Sequence, residues 1–293
     1  MAMALRRFFL GLFLFTWSLT AQAQSEALDV IRDFRLQGLL EPALQLAEEQ
    51  LENADDAYAL QLHLELAKIH DRTGLHNNTR PVAAALQHIK AAEALVEPLD
   101  ELAQAQVELA YAEYYYRAGM QDRDFEQATH YASVALEAFE ELEDAHGRAD
   151  AVHRFGLISL QERELDKALG LFEQSLYLDR LAGERPLFRA DYERHVGFVY
   201  ALREEYAAAL PFFERSLQYR EQAGALDPAM FAAISLASVL IELDRDEEAV
   251  AQLVFAAEVA ADIESATGRS RVQANVDKLR IDLREDFPLI ESR

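Results

Sequence analysis

The sequence predicts an all-α solenoid of antiparallel helix pairs, finished by a C-terminal capping helix. Three observations point there. The 293 residues are rich in Ala, Leu and Glu and contain only 11 Gly and 7 Pro, a composition that favours helix throughout. One landmark recurs at Ala43, Ala85, Ala128, Ala168, Ala209 and Ala249, with gaps of 42, 43, 40, 41 and 40 residues. A partner landmark precedes each, at Ile31, Ala67, Ala112, Gly156, Gly197 and Ala237. Self-similarity at such a period marks a stacked repeat array.

Residues 1–23 stand apart from the repeats. Arg6 and Arg7 precede a twelve-residue apolar run, Phe8–Leu19, and Ala21-Gln22-Ala23 follows as an A-x-A site. These are the three parts of a signal peptide, here expected to be cleaved after Ala23. The run is shorter than the ~20 residues of a membrane helix, so an uncleaved anchor is the lesser reading. The Arg-Arg pair resembles a twin-arginine motif, but the short n-region favours the general secretory route. The signal has bacterial character, which predicts a periplasmic or secreted protein with no membrane span in the mature chain. The net charge of −24 becomes −26 once the two leader arginines are removed. So acidic a surface repels phosphate backbones and argues against nucleic acid as partner. With no cysteine there is no disulfide, no thiolate metal site and no lipidated Cys.

Residues 24–265 read as six helix pairs. The clearest copies are Gly156–Ser175 (GLISLQERELDKALGLFEQS) and Gly197–Ser216 (GFVYALREEYAAALPFFERS). In each, a small residue is followed twelve positions later by Ala, then by Phe and Ser. Small residues let two helices cross closely, and Phe172 and Phe213 fill the space one turn on. One pair cannot bury its apolar face alone, so neighbouring pairs must stack. The second and third pairs space their landmarks by eighteen and sixteen residues instead. The surplus falls in Leu75–Arg80 and Met120–Arg123, polar stretches that predict lengthened turns. Residues 266–293 predict a capping helix and tail, the helix running over Ser270–Asp286 on a stripe of Val272, Val276, Leu279 and Leu283.

This pattern of small residue, Ala and aromatic resembles the tetratricopeptide repeat over residues 25–263. The period is nearer the longer-helix repeats of kinesin light chains, and the early Trp and closing Pro of the repeat are missing. The resemblance implies a right-handed superhelix whose concave face is lined by first helices. It places lining residues at −6, −3, +1, +4 and +5 from each first-helix landmark. Six of those thirty positions are basic: Arg32, Arg35, Lys68, Arg72, Arg117 and Arg194. About three are expected by chance from 26 basic residues in the mature chain. Five positions are acidic (Asp71, Glu113, Asp150, Asp191 and Glu242), close to expectation. His153, Leu157 and Phe198 add apolar contact, and Tyr116 turns inward from the Tyr111–Tyr116 aromatic cluster while Tyr111 and Tyr115 take core positions.

No catalytic constellation is present. The sequence lacks a phosphate-binding glycine loop, GxSxG and HExxH. His63 and His70 share a helix face near Glu65 and read as packing or solvated histidines. The expectation is therefore an exported, non-enzymatic scaffold without cofactor or metal, of unassigned oligomeric state. It would bind a protein or peptide with an acidic or free-carboxylate segment in the concave groove, because arginine holds carboxylates bidentately. The alternative is an extracytoplasmic sensor subunit, or a fragment, acting on a membrane signalling protein.

Overall fold

A computed structural model describes residues 22–279 apart from 80–82, 98–99 and 123. Among these residues the chain is helical with no strand. Residues 22–37 form α1. There follow α2 (Leu40–Leu51), α3 (Asp56–His76), α4 (Ala83–Ala94), α5 (Glu101–Asp122), α6 (Glu126–Glu141) and α7 (Ala145–Gln161). The array continues with α8 (Leu165–Ala182), α9 (Pro186–Leu202), α10 (Tyr206–Gln222), α11 (Leu226–Glu242), α12 (Asp246–Asp262) and α13 (Ala266–Val276). Odd helices from α1 to α11 are the first members of pairs, and even helices the second. The expected signal segment lies outside the described residues except for Gln22 and Ala23, which begin α1.

Close crossing organises every pair. The second-helix landmark alanines are fully buried or nearly so, with 4% exposure at most. At Gly156 an added β-carbon would stand 2.6 Å from the Phe172 ring, and at Gly197 3.1 Å from that of Phe213. Both rings are 0% exposed. The aromatic therefore occupies the volume that a larger landmark would need. Gly147 and Phe139 repeat the device between α7 and α6, at 2.2 Å.

The turns reverse direction with few glycines. Glu143, Arg163, Glu204, Asp244 and Glu264 all adopt positive φ, between 54° and 66°. Each follows a helix and is closed by a wide backbone bond, such as Glu164 N–H to Ser159 O at 2.9 Å and Arg245 N–H to Leu240 O at 2.9 Å. This is the Schellman arrangement, in which glycine is the usual left-handed residue.

Two expectations are corrected. The surplus residues of the second and third pairs extend their first helices rather than their turns. Helices α3 and α5 run to 21 and 22 residues, against 17 in α7, α9 and α11. The polar sequence at the end of α3 stays helical because Leu75 and His76 are packed against later helices. It stops at Asn78, which takes a φ of 55°. The capping helix begins at Ala266 because the Ser265 side chain accepts from Gly268 N–H at 3.1 Å. It ends at Val276, followed by a turn at 277–278, and residues from 280 lie outside the described set.

The crossings generate a test. Gly156→Ala should destabilise the protein by about 1–3 kcal/mol, as overpacked cores do. Gly170→Ala in α8, where an added β-carbon meets nothing within 4 Å, should stabilise it by about 0.5–1 kcal/mol through helix propensity. Urea unfolding of the two variants checks both signs.

Candidate functional site

The array curves until its ends meet. Helix α3 packs against α13, and Asp227 at the start of α11 reaches back to α3. Its carboxylate accepts from Arg72 Nε at 2.8 Å, and His76 Nε2 lies 3.1 Å from the other oxygen. Thr267 of α13 donates its hydroxyl to the Leu75 carbonyl. The Ile263 side chain sits against Gly38, between α1 and α2, where a β-carbon would come within 2.8 Å. Burial pushes the Asp227 pKa up, but Arg72 and His76 outweigh it and hold the carboxyl below its ordinary value.

Inside this closed curve is a channel of about 610 Å³ lined from α1, α3, α5, α7, α9, α10, α11 and α13. Seven arginines and no lysine line it, facing only three carboxylates, Glu113, Asp191 and Asp227. That excess of cations inside a chain of net charge −24 is the channel's chief feature. Most of the arginines are tied. Arg35 pairs with Glu65, Arg117 with Glu113 at 2.8 Å, Arg154 with Glu113, and Arg220 with Asp191. Three of these pairs join different helices, Arg35–Glu65, Arg154–Glu113 and Arg220–Asp191, so they also brace the wall. Aromatic faces complete it: Tyr116 lies under Arg117 and Arg154, at 5.4 and 5.1 Å.

A neutral hydrogen-bonded chain supports the floor. Arg194 Nη2 lies 3.0 Å from His195 Nε2. Arginine can only donate, so this nitrogen accepts and His195 carries its proton on Nδ1. That proton is donated to His153 Nε2 at 2.8 Å. His153 then faces Ser175 Oγ with its own protonated Nδ1, at 3.4 Å, and Ser175 donates to the Phe172 carbonyl at 2.8 Å. Both imidazoles are buried. Burial, more than the neighbouring arginines, lowers His153 to about 4, and it drives His195 well below its ordinary value. Burial, Arg220 and Arg117 likewise bring Arg194 down to about 9, against the pull of Asp191.

Of the residues singled out in the sequence, Arg35, Arg72, Tyr116, Arg117, His153, Leu157, Arg194 and Phe198 line the channel. Arg32 and Lys68 do not. Both turn to the buried Glu65, at 3.8 and 3.3 Å. Burial raises the Glu65 pKa, but Lys68, Arg35 and Arg32 together bring it to about 2. His153 is a member of the hydrogen-bonded chain rather than an apolar contact. Arg154, His195, Arg220 and Arg271 were not expected. The first two sit two residues before Gly156 and Gly197, a register position outside the five carried over. Arg220 is on a second helix and Arg271 on the cap. Elsewhere, His63 and His88 approach at 3.0 Å and His70 stacks on His88 at 5.1 Å. Among the described residues no group of three or more His, Cys, Asp or Glu is arranged to hold a metal ion, and no helix is long and apolar enough to cross a membrane.

No family profile matches the chain, and no curated protein does. Solved structures match its fold. The Rap protein complexed with Competence and Sporulation Factor is 18% identical, with a TM-score of 0.58 over 86% of this chain and 80% of its own. NprR in complex with its cognate peptide NprX is 15% identical, with a TM-score of 0.62 over 87% of this chain and 73% of its own. A signal-transduction ATPase with a tetratricopeptide repeat sensor, from Pyrococcus horikoshii, is 16% identical, with a TM-score of 0.52 over 89% of this chain and 40% of its own. The chain thus has the tetratricopeptide-like solenoid fold.

The closing contact can be tested by acid. Asp227 is depressed in the folded state, so its contribution is full above the unfolded carboxyl value of about 3.9 and fades as pH falls through the lower folded value. Asp227→Asn should cost about 3 kcal/mol at pH 7, as broken buried pairs do. The gap between wild type and variant, followed by urea unfolding from pH 7 downward, should narrow below about pH 4.

Proposed function

We propose that this chain is an exported, non-enzymatic scaffold that holds a peptide segment of a partner in its arginine-lined channel. The observation that carries this reading is the channel's charge, seven arginines against three carboxylates in an acidic protein. A concave wall of one sign concentrates a ligand of the other. The volume of about 610 Å³ falls in the range of small-ligand and short-peptide sites and is too small for a folded domain. Tyr116, Leu157, Phe198 and Phe231 supply apolar wall between the cations. The solved neighbours with bound partners, Rap and NprR, are of like fold. Export rests on the leader pattern at residues 1–23, with cleavage after Ala23.

Photo-crosslinking decides where the partner sits. A photoreactive residue at Leu157, on the channel wall, should trap a peptide or protein in cells. One at Tyr177, which is 62% exposed and outside the channel lining, should not. Adducts at 177 with none at 157 would move the binding surface to another face. In the same cells the purified protein should begin at Gln24 when its N-terminus is sequenced, and should be recovered from the periplasm or the medium.

A further inference from the structure

We infer that the channel recognises a single carboxylate at the end of a peptide chain and that Arg194 takes it. This rests on the reading of the channel as a peptide site and narrows the ligand within it.

The narrowing follows from which cations are already matched. Arg35, Arg72, Arg117, Arg154 and Arg220 each have a carboxylate of this chain within ion-pair distance. Among the described residues that line the channel, Arg194 and Arg271 have no such ion pair. Arg271 is exposed at the rim and lies over the Phe231 ring at 5.2 Å. Arg194 is inside, with a buried Nε that donates to nothing. A run of acidic side chains would therefore meet one unmatched cation in the interior and be repelled by Glu113, Asp191 and Asp227. One carboxylate would not. A chain terminus delivers one carboxylate with a side chain beside it, and Leu157, Leu187 and Phe198 provide apolar wall for that side chain. Arg154 lines the same channel with Nε and Nη1 also buried and unpartnered, free donors for the ligand's last peptide carbonyl.

His195 is the positioning residue. Its Nε2 accepts from Arg194 Nη2, and the relay through His153 and Ser175 fixes the tautomer that can accept. The guanidinium is thereby held with its Nε left for a ligand. A neutral acceptor orients Arg194 without cancelling its charge, which a carboxylate in that place would do.

The test uses the full mature chain, immobilised, and two pools of random pentapeptides, one with free C-termini and one amidated, read by mass spectrometry. The free acids should be retained about tenfold over the amides, the scale of one charge-assisted contact. Arg194→Met should abolish that ratio. His195→Leu should lower it in protein that circular dichroism shows still folded, while His195→Gln, whose amide oxygen can accept from Arg194, should restore it. Equal retention of both pools by wild type would overturn the terminal-carboxylate inference and leave the peptide-binding reading standing. Retention of neither pool would overturn both. A ratio that survives Arg194→Met would remove Arg194 from the role.

Discussion

Where the first helix crosses the second in the fourth and fifth pairs, the chain leaves room for a hydrogen and little more, because a phenylalanine fills the next turn. Gly156 against Phe172 and Gly197 against Phe213 show how narrow that tolerance is. The close approach sets the angle of each pair, and that angle, repeated, sets the curvature. Everything on the inner face depends on it. First-helix residues such as Glu113, Leu157, Phe198, Tyr116 and Arg117, one, four or five positions after a landmark, line the channel only while the crossing keeps its register.

The inner wall then faces an electrostatic problem. Arginines drawn into a partly buried surface lose hydration and repel one another, and lone ones are costly. The structure distributes acids along the same wall so that most guanidinium groups bridge neighbouring helices. The pairs Arg35–Glu65, Arg154–Glu113 and Arg72–Asp227 each join two elements that are not a hairpin. Arg194 is treated differently. Imidazoles kept neutral by burial hold it in place, and among the described residues no carboxylate pairs with it directly. Groups matched for structure and a group held back for a ligand are thus separated by the kind of partner they receive.

Much of the fold was legible in the sequence, because small residues at crossings recur with a fixed period and nothing but a repeat demands that. Eight of the ten proposed groove residues face the channel for the same reason. What was not legible had physical causes. Helix α3 outruns its polar sequence because Leu75 and His76 are held by Thr267 and Asp227, 192 and 151 residues away in the chain, and no local propensity reports that. Arg32 and Lys68 answer to Glu65, whose burial depends on tertiary context. Arg154 and His195 occupy a register position that the borrowed pattern leaves out. Arg220 and Arg271 belong to helices that reach the interior only because the curve closes.

That closure also constrains how the gene can change. Open solenoids lengthen or shorten by duplicating or losing a unit, since each unit touches only its neighbours. Here Asp227 must arrive opposite Arg72 and His76, and Ile263 opposite Gly38, after a set number of turns. One helix pair more or fewer would carry α11 past α3 or stop it short. Homologues that retain these contacts should therefore keep the same number of pairs, and vary in their loops and outer surfaces instead.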